Sequence, residues 1–167
     1  MTSNCNDNRP LWAPWRIDYI LSDKTKECFL CNKKIKSSDE NEFMVIKRGR
    51  YSFITVNAYP YNAGHLMVCP YDHIGNISNI TKETLNEMME LCIEAKEALD
   101  RVMHPQGFNI GFNLGVAAGA GLEEHIHLHI VPRWNGDTNF MPVLGNTRVV
   151  PQALRDSAEM IRKSFEK

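Results

Sequence analysis

The 167-residue chain has 43% hydrophobic and 23% charged residues and a formal net charge of −1, the make-up of an ordinary soluble protein long enough to bury one core. No long basic run is present, which excludes a duplex nucleic-acid binder held by many phosphate contacts, though a pocket for a single nucleotide remains compatible. No apolar stretch approaches the about 20 residues of a membrane helix, and five cysteines without a disulfide-framework spacing or export signal predict reduced thiols in the cytoplasm.

Residues 1–10 are polar and expected to fray. Residues 11–20, rich in Trp12, Trp15, Tyr19 and aliphatic side chains, are expected to pack on the body of the fold. Cys28-Phe29-Leu30-Cys31 follows. Two thiolates from one turn suit half a tetrahedral zinc site, but the pair could equally be a redox couple or two buried thiols. A second Cys-x-x-Cys does not occur, so any zinc needs two histidines from elsewhere.

Residues 33–41 read as a polar loop. Residues 43–46 and 51–56 read as two strands around the turn Arg48-Gly49-Arg50. Residues 57–64 form a loop by composition, and residues 65–69 a short strand ended by Pro70, with His65 and His73 flanking it. Thr81 caps a long helix whose apolar stripe is Leu85, Met88, Met89, Cys92, Ala95, Leu99 and Val102. Its methionines read as core filler. Pro105 and Gly107 close that segment, and residues 108–114 alternate as a strand.

The small-residue run Gly115 to Gly121 comes next. Such a run lets backbone approach an anion and aim amides at it, or simply makes a tight connection. It leads directly into His125-Ile126-His127-Leu128-His129, which holds three of the six histidines at every second position. On a strand these imidazoles share one face, about 6.5–7 Å apart, while Ile126, Leu128 and Ile130 face a core. A row of this kind suits a metal chelate or a nucleophile with its supporting bases, and the pattern does not rank the two. After a turn at Asn135-Gly136-Asp137, residues 148–150 read as a short strand and residues 152–166 as an amphipathic helix with Leu154, Ala158, Ile161 and Phe165 on its stripe.

Together these residues resemble the histidine triad superfamily of nucleotidyl hydrolases and transferases. The family's His-x-His-x-His and two apolar residues are met by His125 to Val131. Its upstream signature is an acidic or amide residue, a proline three later, a histidine at eight, then an apolar strand ending in proline and another histidine. It is met by Asn57, Pro60, His65, Pro70 and His73. The tail after His129 and the segments Ala13-Pro14-Trp15-Arg16 and Ala118 to Leu122 are similar to a microbial branch that includes diadenosine tetraphosphate phosphorylases.

The resemblance implies an α+β fold: a five-stranded antiparallel sheet with a long helix packed on it and a C-terminal helix. The triad domain would span residues 28–140, between an N-terminal extension, 1–27, and a C-terminal segment, 141–167. A homodimer is implied. So are roles: His127 as nucleophile on an α-phosphate, His129 and His65 as its supports, Asn113 near the reacting phosphate, and Asn57 at the ribose. Cys28, Cys31, His73 and His125 would hold a structural zinc with no open position. No organic cofactor and no membrane or nucleic-acid duplex partner is expected.

One departure from the family pattern stands out. Many members place Gln, Ser or Thr just before the triad to support the phosphate or leaving group. Residues 120–122 here are Ala, Gly and Leu, which leaves backbone amides of Gly119, Ala120 and Gly121 as the expected substitutes. The implied reaction is cleavage of a dinucleoside polyphosphate through a nucleotidyl-histidine with phosphate as acceptor in a phosphorylase, or, in a hydrolase, of a dinucleoside polyphosphate or nucleoside phosphoramidate with water as acceptor. A nucleotide-binding interaction protein and metal catalysis on the triad are the other classes. Binding alone would not require the intact His65, His127 and His129.

Overall fold

The computed structural model describes residues 28–33, 44–137 and 154–165. The expectations for residues 1–27, for most of the loop at 33–41, and for the strand at 148–150 lie outside the described residues. Five strands, β1 (Val45–Arg48), β2 (Ser52–Val56), β3 (Leu66–Pro70), β4 (Gly107–Phe112) and β5 (Leu128–Arg133), form one sheet in the order β1-β2-β3-β5-β4. Every pairing is antiparallel. The helices are α1 (Phe29–Lys33), α2 (Lys82–Met103) and α3 (Leu154–Lys163). This is the α+β architecture the sequence implied, C-terminal helix included.

The sheet's two faces carry different loads. Ile54, Val56, Leu66, Val68, Leu128 and Ile130 pack against Met88, Leu91, Cys92, Ala95 and Leu99 of α2, with Ala158 and Ile161 of α3 joining them. A fully buried side chain of this size contributes about 1.5–3 kcal/mol. The opposite face holds a smaller cluster of Val45, Phe53, Met67 and Cys69 under Leu30 of α1. Because facing alternates along a strand, His65 shares a face with Met67, and His129, directly opposite Met67, lies there too.

Helix α2 begins where expected: the Thr81 side chain accepts from the Thr84 amide at 3.2 Å. It ends at His104 in the left-handed region, φ 47°, just before Pro105. Its buried stripe differs from the expected one. Thr84, Leu91 and Ala98 are buried, whereas Met89 is 44% exposed. Period-3.6 spacing allows either neighbour at the margin of the stripe, and the sheet takes the 84-88-91-95-98 side.

The histidine row is also corrected in detail. The hydrogen-bonded strand starts only at Leu128, so His129 alone of the three lies within it. Residues 125–127 run on without sheet pairing, tied by the Ile126 amide to the Ile74 carbonyl at 2.7 Å. Gly75 permits this approach: a Cβ there would fall 2.4 Å from the Glu123 carbonyl oxygen.

Candidate active site and metal centre

The row of histidines divides into two neighbouring sites. His127 and His129 line an open cleft, with Asn57, Tyr59, Tyr61, Met67, Gly119 and Leu122 among its other walls. The Nδ1 atom of His127 lies 2.8 Å from the carbonyl oxygen of His125. A carbonyl only accepts, so Nδ1 carries the hydrogen and Nε2 of the neutral ring keeps its lone pair. Burial pushes the His127 pKa down, with the bond to the His125 carbonyl pulling weakly back, so the neutral ring is favoured.

A chain of donors runs behind this imidazole. The Tyr61 amide donates to Nδ1 of His65 at 3.0 Å. That nitrogen is therefore an acceptor, and His65 carries its hydrogen on Nε2. Nε2 in turn lies 2.9 Å from Nδ1 of His129. The neutral His129 then carries its hydrogen on Nε2, 3.5 Å from Asn113 Nδ2, so these two N–H groups do not bond each other but lie side by side. The Asn113 amide donates to the Tyr61 hydroxyl oxygen at 3.3 Å. The N–H groups of His129 and Asn113 thus lie beside the Tyr61 hydroxyl, next to the cleft that His129 and Tyr61 line, an arrangement a phosphate oxygen would satisfy.

Loop 57–65, which carries His65 and Tyr61, is held at several points. Asn57 Oδ1 accepts from the Tyr59 amide at 2.9 Å, which turns its Nδ2 toward His65 Nδ1 at 3.4 Å. Asn62 Nδ2 donates to Asp137 Oδ2 at 2.8 Å and to the Pro132 carbonyl at 3.1 Å. Asp137 also receives the Arg133 guanidinium, Nε at 2.6 Å and Nη2 at 2.8 Å. Gly64 adopts φ +72°, and a Cβ there would lie 2.5 Å from Met103 Sδ of α2.

The small-residue turn does less than expected. The amide of Gly119 donates to the Val116 carbonyl at 2.9 Å and that of Ala120 to the Gly115 carbonyl at 3.2 Å. Ala120 is buried and not among the cleft's walls, whereas Gly119 and Gly121 are. Two of the three amides expected to face an anion instead close their own turn. The φ of +84° at Gly119 serves that closure.

The second site lies where α1 meets the start of the histidine row. Cys28 Sγ is 3.3 Å and Cys31 Sγ 3.5 Å from His125 Nδ1, and Cys31 Sγ is 3.3 Å from His73 Nδ1. All four ligand atoms lie within 4.8 Å of one another. Tetrahedral zinc bonds of about 2.0–2.3 Å place ligand atoms roughly 3.3–3.8 Å apart, a range that the three thiol–imidazole separations here meet, and two thiols with two imidazoles are a donor set that suits that ion. His125 Nε2 donates to the Pro70 carbonyl at 2.9 Å, which leaves Nδ1 as the coordinating nitrogen. Glu124 faces the far nitrogen of His73 at 3.9 Å. Burial pushes the Cys28 thiol up, and a bound cation would reverse that shift.

Comparison with known proteins fits this geometry. A family model described as HIT domain matches residues 38–136, more than half of the chain. The chain belongs to the HIT domain family. The AP-4-A phosphorylase of Mycobacterium tuberculosis is 37% identical over 158 residues, covering 90% of this chain and 81% of that protein. An asymmetrical bis(5'-nucleosyl)-tetraphosphatase of Schizosaccharomyces pombe is 29% identical over 93 residues, 56% of this chain and half of its own. The crystal structure of a Zn-bound histidine triad family protein from Mycobacterium smegmatis superposes with a TM-score of 0.61 at 26% identity, covering 74% of this chain and 84% of that one.

Within this HIT domain, the residues singled out from sequence fall into two groups. Asn57, His127 and His129 line the cleft, with His65 and Asn113 in contact with them, and Cys28, Cys31, His73 and His125 gather beside it. Sequence reasoning missed Tyr61, whose ring packs 4.7 Å from His65 and 5.6 Å from His129 between centroids. Its neighbours Pro60 and Asn62 made it look like ordinary loop. Phe29, Met67 and Leu122, which supply apolar cleft wall, were missed as well.

Proposed function

We propose that this HIT protein cleaves dinucleoside polyphosphates, with diadenosine tetraphosphate as the leading substrate, by way of a nucleotidyl-histidine on His127. One observation carries the reading: the ring of His127 is locked with Nδ1 on the His125 carbonyl while the residue lines the cleft. The Nε2 lone pair attacks the α-phosphorus, forming an N–P bond as the bond to the bridging oxygen breaks. That oxygen leaves with the bond's electron pair on the polyphosphate. A second acceptor then displaces the imidazole, so one hard displacement becomes two easier ones. His129, kept in one tautomer by His65, and Asn113 stabilise charge on the non-bridging oxygens. Asn57 holds His65 and meets the ribose.

The favoured acceptor is inorganic phosphate, which makes the enzyme a phosphorylase yielding ADP and ATP; the similarity to the mycobacterial AP-4-A phosphorylase supports this. Water as acceptor, giving AMP and ATP, is the second reading, supported by the similarity to the S. pombe tetraphosphatase. Incubation with diadenosine tetraphosphate, with and without phosphate, followed by separation of the nucleotides, decides between them. ADP that appears only with phosphate is the expected result; AMP released regardless of phosphate overturns the choice of acceptor.

Cys28, Cys31, His73 and His125 would hold a zinc ion. With four protein ligands it has no open position, so it would brace α1 against the histidine row. A reducing, cytoplasmic setting suits those thiols, and no helix among the described residues is long and apolar enough to cross a membrane. The working form is a homodimer. Strand β4 lies at the sheet edge with Ile110 47% exposed, and on α2 Met89 and Ile93 are exposed along one flank.

A further inference from the structure

We propose that the Tyr61 hydroxyl is the side-chain hydrogen-bond donor for the departing phosphate oxygen, doing the work that a polar residue before the triad would otherwise do. The inference rests on the nucleotidyl-histidine reading above and adds a group to it. The need is visible in the chain: residues 120–122 offer no polar side chain, and the amides of Gly119 and Ala120 are spent on their own turn. A side-chain donor elsewhere on the cleft can meet the charge that develops as the bridging oxygen leaves.

Five described side chains on the cleft carry polar atoms: Asn57, Tyr59, Tyr61, His127 and His129. His127 is the nucleophile. Asn57 is engaged with the Tyr59 amide and His65, and His129 is the supporting donor already assigned. Tyr59 is the exposed tyrosine of the pair, at 38%. Tyr61 differs. Its oxygen is placed by the Asn113 amide at 3.3 Å, at the end where His129 also points. Its ring is packed against both His65 and His129, so the hydroxyl is held on a rigid arm. The oxygen accepts from Asn113, and rotation about the C–O bond lets the hydroxyl hydrogen swing to an acceptor bound in the cleft. The phenol stays a phenol throughout: no proton is transferred. The electron pair of the broken P–O bond remains on the leaving oxygen, where the O–H donates to it.

The test is leaving-group dependence. Wild type and Tyr61→Phe, both full length and metal-loaded, are given a series of aryl esters of AMP that differ in the acidity of the departing phenol. Formation of adenylyl-protein is followed by rapid quench. Tyr61→Phe keeps the ring packing and the amide that donates to His65. The expected loss is on the order of 100-fold for the most basic leaving group, shrinking to about threefold or less for p-nitrophenol. An equal loss across the series, or none, overturns the proposal and leaves the His127 mechanism standing. Failure of wild type to form adenylyl-protein overturns both. If Tyr61→Phe does not fold, 2,3-difluorotyrosine at position 61 replaces it. Assayed at a pH well below that of its own ionisation, that analogue keeps the shape and strengthens the donor, so a shallower dependence supports the proposal and an unchanged one overturns it.

Discussion

His125 and His127 are two residues apart on the same run of chain, and each gives a ring hydrogen to a backbone carbonyl. They differ only in which nitrogen is used. His125 spends Nε2 on the Pro70 carbonyl and turns Nδ1 toward two thiols. His127, which lines the cleft, spends Nδ1 on the His125 carbonyl and so keeps its lone pair on Nε2. On the proposed mechanism one imidazole would hold a cation and its neighbour would attack an electrophilic phosphorus. The carbonyl of His125 links them, so whatever fixes the first ring also fixes the acceptor that orients the second. Chemistry here is assigned by hydrogen-bond partner, not by residue type.

The sharpest way to break the comparison is to remove one ring at a time. His127→Asn should lower turnover by at least about 10⁴-fold, the scale seen when a nucleophile is lost. Thermal unfolding should shift by no more than a few degrees, because no described core residue depends on the ring. A residual rate within tenfold of wild type would show that the two imidazoles do not have separate duties. Removal of the metal ligands probes the other side. Cys31→Ser, or stripping with a chelator, should lower the melting temperature by about 5–15 °C, since a few kcal/mol corresponds to roughly 2–4 °C each in a chain of this size. Chelation should then have no further effect on Cys31→Ser. Abrupt loss of activity on chelation at unchanged melting temperature, restored by added metal, would instead point to metal chemistry on the triad.

A smaller effect sharpens the role of the loop behind the reactive site. Gly64→Ala puts a Cβ into the left-handed region and against Met103, costing about 1–3 kcal/mol. The loss should appear both in the melting temperature and in kcat, because the same turn sets His65 against His129. A variant that loses stability but keeps kcat would separate the loop from the relay.

Much of this was legible in the chain because alternation is a strong signal. The period of two between His125, His127 and His129 predicted a shared face, and Asn57, His65 and His73 fell in the order that brings them to it. Thr81 marked the start of α2 because a hydroxyl can satisfy an otherwise unbonded helical amide. Three things were not legible. Where sheet pairing begins depends on the partner strand, which is why His125 and His127 fell outside β5. Met89 and Leu91 are equally good stripe residues until the sheet chooses between them. The direction of the loop amides at Gly119 and Ala120 is set by φ and ψ, which the residue type permits without specifying. Tyr61 was hidden for a related reason: its partners Asn113 and His129 are 52 and 68 positions further along the chain.

The central claim is that one ring, His127, bonds covalently to the nucleotide. Rapid acid-free quenching of the enzyme with diadenosine tetraphosphate, followed by peptide mass analysis, reads it directly. The account predicts one adenylyl group per chain, on the peptide holding residues 125–129 and located at His127, lost when phosphate is added. Full turnover with an unmodified His127 peptide at every time point, or the adenylyl group on His125 or His129, would contradict it.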